Sequence, residues 1–393
     1  MEIKKIVSDG NYLDDYSKLL IYCFGLTEED VRFEMNHIFK DAETVIFGAF
    51  DLDKLKSSLI INDYTMFWNG TTVRMGGIGN VASFPEARQD HLVEKLLMHS
   101  LEKMHDLKMM FSLLGPFSYS FYRKYGWEWG MNQLKYEVGI MDFEHFRPGN
   151  YTTRPLTEDD TESLMTVYDK SYSIYNGPLN RTKSHWAVQV ARNKKDNNYS
   201  YGVIDQENQL AGYITYELKD HIFKVKEIAY TSLEVKEHIF FFIFIHRAQV
   251  DTVKINLPDN DPFLSMLNNQ RQKVTLSPGM MVRVVDVEQT LLSLNYPSDE
   301  RIQFSIKIDD FYAPWNNTTF LVDSNEAGIK VTKGEDIVAD IQCSIQTFSQ
   351  IAFGFKSFME ADQLALLKYS NRNVLAALDK IKTKRNTYIA DFF

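Results

Sequence analysis

The sequence predicts an α/β protein with two mixed-sheet domains in tandem and a third domain of the α+β class. Helix and strand patterns alternate from Leu13 to Gly139, and a similar order of patterns restarts after a break at 146–150. A second break, at 277–279, is followed by short strands and then helices. A chain of 393 residues is also too long for a single core. We therefore expect three domains, at residues 1–141, 142–281 and 282–393.

The first domain begins with two predicted helices, because apolar residues recur at helical spacing from Leu13 to Cys23 and from Val31 to Ile38. A longer helix is predicted from Leu92 to Met104, where five apolar residues mark one face. Runs typical of strands lie at 44–50, 58–68, 73–83, 109–113 and 134–139. This order predicts a mixed sheet in which a helix follows a central strand.

The second domain opens with a capping signature at 157–160, followed by strand patterns at 199–205, 210–218 and 226–231. The phenylalanines of the apolar run 239–245 are interpreted as core residues. In the third domain a strand at 282–287 and an amphipathic stretch at 287–294 come first. Strands are then predicted at 302–308, 319–322, 329–332 and 338–344, with helices closing the chain.

Composition places the chain among ordinary globular proteins. It carries 53 acidic and 43 basic residues, a formal charge of −10 that argues against nucleic acid as a partner. The longest apolar run is far shorter than the roughly 20 residues that span a bilayer, so no membrane contact is expected. Cys23 and Cys343 both sit in apolar patterns and are expected to be reduced, packed thiols. With no apolar segment typical of a signal peptide at the start of the sequence, a cytoplasmic location is predicted.

Three segments carry the chemistry. Gly76-Gly77-Ile78-Gly79-Asn80-Val81-Ala82-Ser83 leads through Phe84-Pro85-Glu86-Ala87-Arg88-Gln89-Asp90-His91 into the helix at Leu92. Such a strand can offer backbone groups to an extended ligand, and the turn can point helix N–H groups at a pyrophosphate. The second segment is Phe121-Tyr122-Arg123-Lys124-Tyr125-Gly126-Trp127, and the third is Asp391-Phe392-Phe393 at the end of the sequence.

The first segment resembles the acyl-CoA binding motif A of GNAT N-acetyltransferases, and the second resembles the motif B that usually follows it. With Ser118 and the aromatic carboxyl-terminal residue, the whole chain resembles the Eis-like (enhanced intracellular survival) acetyltransferases. The resemblance implies two GNAT-like domains in tandem, then a domain similar to sterol carrier protein 2. It also implies that acetyl-CoA is the co-substrate, that a primary amine accepts the acetyl group, and that the protein is a homo-oligomer, a hexamer.

The resemblance further assigns roles to individual residues. Tyr122 would act as the general acid that protonates the departing thiolate, and the Phe393 carboxylate would help to deprotonate the amine. Two alternatives stay open: Tyr122 as a packing residue, and Phe393 as a solvated chain end. The expected contacts to acetyl-CoA are made by Val81, Ser83, Arg88, Gln89, His91, Leu92 and Ser118.

The turn departs from the family pattern, which usually has glycine in place of His91 and a glycine or basic residue in place of Gln89 and Asp90. Asp90 could instead cap the helix and occupy its electropositive end, with His91 facing solvent. In that case acetyl-CoA binding would be weakened or lost. A protonated His91 contacting a phosphate is the other possibility.

The second domain lacks glycine and arginine after its strand at 226–231, so we expect it to lack a cofactor site and to serve as a scaffold. We therefore expect one active site per chain, in the first domain. The histidines show no spacing typical of metal ligands, so no metal is expected. The favoured function is acetyl-CoA-dependent N-acetylation of an aminoglycoside-like, polyamine or lysine amine. The alternatives are a catalytically decayed ligand- or partner-binding protein and a lipid carrier based on the last domain.

Overall fold

The computed structural model describes residues 2–7, 12–38, 44–381, 383–391 and 393. The described chain divides into two compact units. The first unit comprises Met1–Gly130, Met280–Arg385 and Asp391–Phe393, and the second comprises Met131–Gly279 and Asn386–Ala390. Each unit is therefore assembled from separate parts of the sequence.

The amino-terminal part of the chain follows the predicted alternation of helices and strands. Its elements are β1 (Glu2–Ile6), α1 (Leu13–Phe24), α2 (Glu28–Ile38), β2 (Thr44–Asp51), β3 (Lys54–Trp68), β4 (Thr71–Ser83), α3 (Leu92–Asp106), β5 (Phe111–Leu114), α4 (Tyr119–Arg123) and β6 (Glu128–Trp129). Strand β1 was not predicted. It pairs antiparallel with β2 at the edge of the sheet and has only one buried residue, Ile6, so its sequence shows little alternation.

The middle part of the chain contains the predicted strand pair β9 and β10 around a turn at 206–208. Its elements are β7 (Asn132–Gly139), β8 (Thr152–Pro155), α5 (Thr161–Tyr172), α6 (Lys183–Lys195), β9 (Tyr199–Ile204), β10 (Leu210–Lys219), β11 (Ile222–Tyr230), α7 (Leu233–Phe244), β12 (Thr252–Leu257), α8 (Phe263–Met266) and β13 (Lys273–Pro278). The capping signature is confirmed, because Thr157 and Asp160 form a capping box.

The last part of the chain begins with a strand and helix as predicted. Its elements are β14 (Met281–Val284), α9 (Val287–Leu292), β15 (Ile302–Asp309), β16 (Thr319–Asn325), β17 (Gly328–Gly334), β18 (Ile341–Ser344), α10 (Ile345–Phe353), α11 (Phe358–Gln363), β19 (Lys368–Tyr369) and α12 (Asn373–Leu378). Strands β15 to β19 form a five-stranded sheet of their own, in the order β17-β16-β15-β18-β19.

The first unit contains a seven-stranded sheet in the order β1-β2-β3-β4-β5-β14-β6. Strand β14 begins next to the predicted start of the third domain at residue 282, and it pairs with β5 and β6 in this sheet. All four residues of β14 are buried, and Arg283 there pairs with the buried Asp310. Since all four β14 residues are buried, local sequence does not reveal which sheet this strand joins.

The second unit contains a seven-stranded sheet in the order β13-β7-β12-β11-β10-β9-β8. Strand β7 was expected in the first mixed sheet, but it pairs with β12 and β13 instead. The hydrophobic core of the second unit holds the phenylalanines of α7. Phe240 and Phe242 are buried in it, and Phe241 and Phe244 pack against it. Their interpretation as core residues is therefore confirmed.

Within the first unit, helix α10 packs on the β14 side of the seven-stranded sheet. The Trp68 indole donates to the Ala352 carbonyl at 3.0 Å, and the Gln350 side chain donates to the Trp129 carbonyl at 2.7 Å. These buried polar contacts fix the last domain against the sheet that carries β4. Among the described residues, no helix combines the length and the apolar character needed to cross a bilayer.

Candidate active site

The carboxyl-terminal half of β4 has one edge that no strand covers. Parallel pairing between β4 and β5 covers Met75 to Ile78 and stops there, because β5 ends at Leu114. On the other edge, the register with β3 shifts between Ser58 and Ile60, so β4 carries one extra residue in a bulge. Val81 lies in this bulge and Ser83 follows it, and both residues are partly exposed. The Ser83 carbonyl accepts from the Cys23 thiol at 3.4 Å, and the other backbone groups of this edge can pair with an extended ligand in the manner of an added strand.

The turn after β4 brings the chain to the amino terminus of α3. A short 3-10 helix, Pro85–Ala87, is followed by Arg88 in the right-handed helical region. His91 is the N-cap residue of α3 and has a left-handed conformation, with φ +54°. Glycine adopts this conformation without strain, and histidine is among the residues enriched there, so the backbone turn is kept where the family usually has glycine.

The hypothesis that Asp90 caps α3 is wrong. The N-cap position is occupied by His91, whose side chain makes no capping hydrogen bond to the helix. A helix amino terminus whose N–H groups are not taken by the N-cap side chain can bind an anion.

Three of the residues predicted to line the pyrophosphate turn, Arg88, Gln89 and His91, lie together here and are exposed, as is Asp90 between them. The Leu92 side chain, in contrast, is buried in the core, so this residue can contribute only its backbone N–H. His91 Nδ1 lies 3.3 Å from the Glu94 carboxylate, one helical turn further along α3. The turn therefore presents one guanidinium beside several helix N–H groups.

Ser118 lies at the amino terminus of α4, where its hydroxyl accepts a hydrogen bond from the Phe121 N–H at 3.4 Å. A second contact, of 3.0 Å, joins it to the Ser120 hydroxyl. The side chain is partly exposed. Ser118 is thus first a helix cap, and its predicted contact with acetyl-CoA would use the hydrogen-bonding capacity that capping leaves free.

Tyr122 is buried between aromatic rings. Its side chain is 2% exposed, and its ring packs edge-on against Phe117 and Phe121 at centroid distances of 5.2 and 5.1 Å. It shares a hydrophobic cluster with Leu114, at the end of β5, and Val81 packs against that cluster. Burial raises the pKa of the Tyr122 phenol, so the hydroxyl keeps its proton at neutral pH. It can donate a proton but cannot serve as a base there.

Phe393 docks on β4 of the first unit. Its ring meets the Tyr64 ring edge-on at 5.2 Å. A Cβ on Gly77 would lie 2.6 Å from the Phe393 ring, and one on Gly79 would lie 3.2 Å from the Phe393 carbonyl carbon. Two glycines of the GGIG segment therefore provide the space that the end of the chain occupies. The carboxyl carbon of Phe393 lies beside Gly79, which precedes Val81 by two residues on β4.

Sequence reasoning missed two residues at this site. Tyr64 on β3 packs against Phe393, and nothing in its sequence context separates it from the other tyrosines. Glu94 lies beside His91 at the start of α3. Burial and the Glu94 carboxylate together raise the pKa of Tyr125 to about 12. Acidic residues are common in the first turn of helices because they stabilise it, so the position of Glu94 in the sequence gave no functional signal.

The corresponding turn of the second unit is built differently. Helix α7 follows β11, and the Ser232 side chain caps it by accepting from the Val235 N–H. Behind the cap, Lys236 Nζ lies 2.6 and 2.7 Å from the two oxygens of Asp261, and both side chains are almost fully buried. The Tyr230 hydroxyl donates to the same carboxylate at 3.1 Å. This helix end is occupied by the protein's own charges.

Within the part of the chain that the structure describes, no group of three or more histidine, cysteine or carboxylate side chains could hold a metal ion.

The site of the first unit consists of a free strand edge, a helix amino terminus, a buried phenol and a docked carboxyl group. Those are components of acyl transfer from a thioester with a pyrophosphate-containing carrier to an amine.

Comparison with known proteins agrees with this arrangement. Residues 7–130 and 177–284 each match a family model described as an acetyltransferase (GNAT) domain, and residues 287–390 match a sterol carrier protein domain. No curated protein matches the sequence.

Solved structures with the same fold along the whole chain include the following three. A conserved protein of unknown function from Enterococcus faecalis, described as a probable N-acyltransferase, is 24% identical, covers 100% of this chain and 99% of that chain, and has a TM-score of 0.92. A GCN5-related N-acetyltransferase from Anabaena variabilis is 21% identical, with 100% of both chains covered and a TM-score of 0.87. Eis1 from Mycobacterium abscessus is 15% identical, with 100% of both chains covered and a TM-score of 0.80.

The fold and the matched domains define an acetyltransferase of the GNAT class, an acyl-CoA-dependent enzyme. The chain is a GNAT-family protein in which two such domains precede a sterol carrier protein domain, and it has the same fold as Eis1 from Mycobacterium abscessus. The predicted fold class and the predicted family resemblance are confirmed.

Proposed function

We propose that this protein transfers the acetyl group of acetyl-CoA to a primary amine, with one active site per chain in the amino-terminal GNAT domain. The observation that carries the proposal is the position of Phe393, whose carboxyl carbon lies against Gly79 on the strand that ends in a free edge. A chain end in this place combines a permanent negative charge with the strand on which the thioester would lie, since α-carboxyl groups ionise near pH ~3.5.

Acetyl-CoA would be held by three parts of the chain. The backbone of Val81 and Ser83 would pair with the pantetheine arm along the free edge of β4. The N–H groups at Leu92 and the residues after it, together with Arg88, would face the pyrophosphate. Gln89, His91 and Ser118 would add polar contacts around it. The uncapped amino terminus of α3 and the exposed Arg88 guanidinium support this assignment.

Catalysis would use the remaining two groups. The Phe393 carboxylate would hold the incoming ammonium and accept its proton, directly or through water, so that the amine nitrogen can attack the thioester carbonyl. As the tetrahedral adduct collapses, the C–S bond breaks and the Tyr122 hydroxyl would donate its proton to the departing sulfur. The proton that the new amide nitrogen must still lose would return through water to Tyr122. Because burial raises the pKa of Tyr122, its proton is present at neutral pH.

The acceptor class follows from charge. A chain with a net charge of −10 and a catalytic carboxylate favours cationic amines such as aminoglycosides, polyamines or lysine side chains. We further propose that the second GNAT domain does not bind acetyl-CoA, because Ser232, Lys236 and Asp261 occupy its helix end. A hexameric assembly, a cytoplasmic location, freedom from membrane and nucleic acid, and the absence of a metal requirement remain predictions from the sequence.

The test combines binding with turnover. Calorimetric titration of the native chain with acetyl-CoA should give one site per chain and a micromolar dissociation constant, about −8 kcal/mol. Acetylation of the three amine classes is then measured by the release of free CoA thiol. Adding one glycine after Phe393 should lower kcat at least about tenfold while leaving the acetyl-CoA dissociation constant within about threefold. An unchanged kcat in the extended chain would contradict the role of the carboxylate.

A second candidate function is a catalytically decayed protein that binds ligands or partners without turnover. Gln89 and Asp90 favour it, since neither residue adds positive charge to the phosphate turn. Under this alternative, native protein shows no acetyl-CoA binding at millimolar concentration, and changing Asp90 and His91 to glycine restores it. Tight binding and turnover by the native chain would exclude this function.

A further inference from the structure

The second unit contains a cavity that the proposed acetyl transfer does not use. Its volume is about 590 Å³, and it lies between helix α6, the segment that leads into α5, and the face of strands β9 to β11. Sites for small organic molecules in proteins usually measure about 300–1,000 Å³. The cavity therefore has the size of a small-molecule site.

The floor of the cavity is polar. Glu227 on β11 is buried, and the Arg181 guanidinium donates to both of its carboxylate oxygens, with one contact of 3.0 Å and the other of 2.5 Å. The Tyr213 hydroxyl donates to the same carboxylate. Beside it, the hydroxyls of Ser200 and Thr215 lie 3.0 Å apart. A few polar groups at the bottom of an otherwise apolar cavity are typical of small-molecule sites, where they fix the orientation of the ligand.

The side walls are apolar and aromatic. Leu156 and Leu164 lie on one side, Val190 on α6 lies on the other, and the rings of Trp186 and Tyr213 complete the lining. Apolar walls of this extent favour a ligand with a hydrocarbon or aromatic body, since filling them removes apolar surface from water.

Helix α6 forms one wall of the cavity. Among its residues only Trp186 is buried, and the indole N–H of that side chain has no hydrogen-bond partner among the described residues. Two exposed ion pairs, Lys183–Glu162 and Lys194–Glu158, join this helix to the segment around α5. A buried donor that faces a cavity without a protein partner is available to a polar group of a ligand.

Charge selects the class of ligand. Three carboxylates line the cavity, those of Glu158, Asp159 and Glu227, against one ammonium group, that of Lys194. Lys194 pairs with Glu158 and Arg181 pairs with Glu227, while Asp159 at the rim has no basic partner among the described residues. The net charge of these groups is negative even when the Arg181 guanidinium is counted. An anion would be repelled, and a cation would gain Coulomb attraction in a partly buried site.

We propose that this cavity binds a small organic cation, an amine or amidinium with an apolar or aromatic body, at a site separate from the acetyl-transfer site. The cationic group would face the Asp159 rim and the hydroxyls and carboxylate of the floor. The apolar body would pack against Trp186, Tyr213 and Val190. The second GNAT domain would then have a binding function of its own, whether or not the first domain acetylates amines.

Three probes of matched size test the proposal on the full chain without acetyl-CoA: 2-phenylethylamine, which is cationic, 2-phenylethanol, which is neutral, and phenylacetate, which is anionic. Calorimetric titration should show binding of the amine, at least about fivefold weaker binding of the alcohol, and no binding of the anion. Equal binding of all three, preference for the anion, or no binding of the amine at millimolar concentration would overturn the proposal.

Two variants locate the site. Val190→Phe fills the cavity and should weaken amine binding at least about tenfold, whereas Val188→Phe on the same helix, which does not line the cavity, should leave it within about twofold. Circular dichroism checks that both variants are folded. Amine binding that is unchanged in Val190→Phe would place the ligand elsewhere and refute the assignment.

A surface variant keeps the test valid if Val190→Phe does not fold. Asp159→Asn removes the unpaired rim charge and should weaken the amine about threefold without affecting the alcohol, and the effect should shrink in high salt. Glu207→Gln, on the exposed loop before β10, is the matched control and should change neither. Equal weakening of amine and alcohol by Asp159→Asn would contradict recognition of charge.

Discussion

The turn after β4 in the first unit and the turn after β11 in the second stand at the same point in the order of two GNAT domains, but they differ in electrostatics. Each strand pairs parallel with the next one of its sheet, and each leads into the helix that packs on it. At the first turn no side chain caps α3, and Arg88 is exposed beside it. At the second turn Ser232 caps α7, and Lys236 is paired with Asp261 in the interior.

This difference teaches that the backbone of a GNAT domain does not by itself make a cofactor site. A helix amino terminus attracts a pyrophosphate only while its N–H groups and its positive potential remain available. In the second unit the Ser232 hydroxyl takes that place, and the domain has the buried Lys236–Asp261 ion pair instead. Four predictions test this contrast.

The largest effect is expected from Lys236→Met in the second unit. The substitution leaves the Asp261 carboxylate buried without its partner, so the free energy of unfolding should fall by about 3–5 kcal/mol. Because this ion pair does not take part in acetyl transfer, acetyl-CoA affinity should not change. Urea unfolding and calorimetry measure the two quantities. Lys224→Met, at an exposed residue on β11, is the control. A second acetyl-CoA site in Lys236→Met would show that the Lys236–Asp261 pair is what keeps the second domain from binding the cofactor.

Tyr122→Phe in the first unit should lower kcat by about 10²–10³, the usual contribution of a positioned general acid, and leave the acetyl-CoA dissociation constant within about threefold. Stability should hardly change, because no hydrogen bond to the Tyr122 hydroxyl is found among the described residues. Tyr230→Phe is the counterpart in the second unit. It removes a hydrogen bond to Asp261 and should lower stability without altering kcat. Equal rates in the two variants would refute the role of Tyr122.

Gly77→Ala should displace the end of the chain, because the new methyl group would lie 2.6 Å from the Phe393 ring. We expect kcat to fall about tenfold with a small change in melting temperature, since a ring at a chain end can move away. Gly212→Ala in the second sheet meets Val235 at 2.4 Å inside the core, so there stability should fall and kcat should not. A Gly77→Ala enzyme with normal kcat would show that the docked position of Phe393 is not needed.

The smallest effect is expected at the phosphate turn. Asp90→Asn removes a negative charge next to the amino terminus of α3 and should tighten acetyl-CoA binding by about twofold to fivefold, less at high salt. Asp106→Asn, at the opposite end of the same helix, is the matched control and should leave affinity unchanged. Weaker binding in Asp90→Asn would mean that this carboxylate assists the cofactor site instead of opposing it.

Local patterns in the sequence predicted most elements and much of the candidate site. The helix at 92–106, the strand that ends at Ser83 and the capping box at Thr157 all depend on residues close in sequence, and the structure has them. Helix α6 was not predicted, because only Trp186 on it is buried and no apolar periodicity results. A helix that covers a cavity lacks the apolar face by which amphipathic helices are recognised.

The positions of β7 and β14 could not be predicted for a different reason. The buried residues of β14 fit the interior of either sheet, and pairing between strands far apart in sequence depends on which surfaces the whole chain buries together. The cap of α3 was also misjudged. Aspartate is a favoured N-cap residue, yet the turn after Ala87 places His91 at that position in a left-handed conformation.

The sequence by itself determined the class of this protein, because the GGIGNVAS segment, its helix and the FYRKYGW segment are local in sequence and carry the GNAT pattern. Tertiary structure alone decided where the groups meet. It placed Phe393 on Gly77 and Gly79, buried Lys236 against Asp261, and left a cavity beneath α6. Each of these contacts joins residues that are distant in sequence or depends on the shape of a whole domain, and such contacts are set by packing that no local pattern contains.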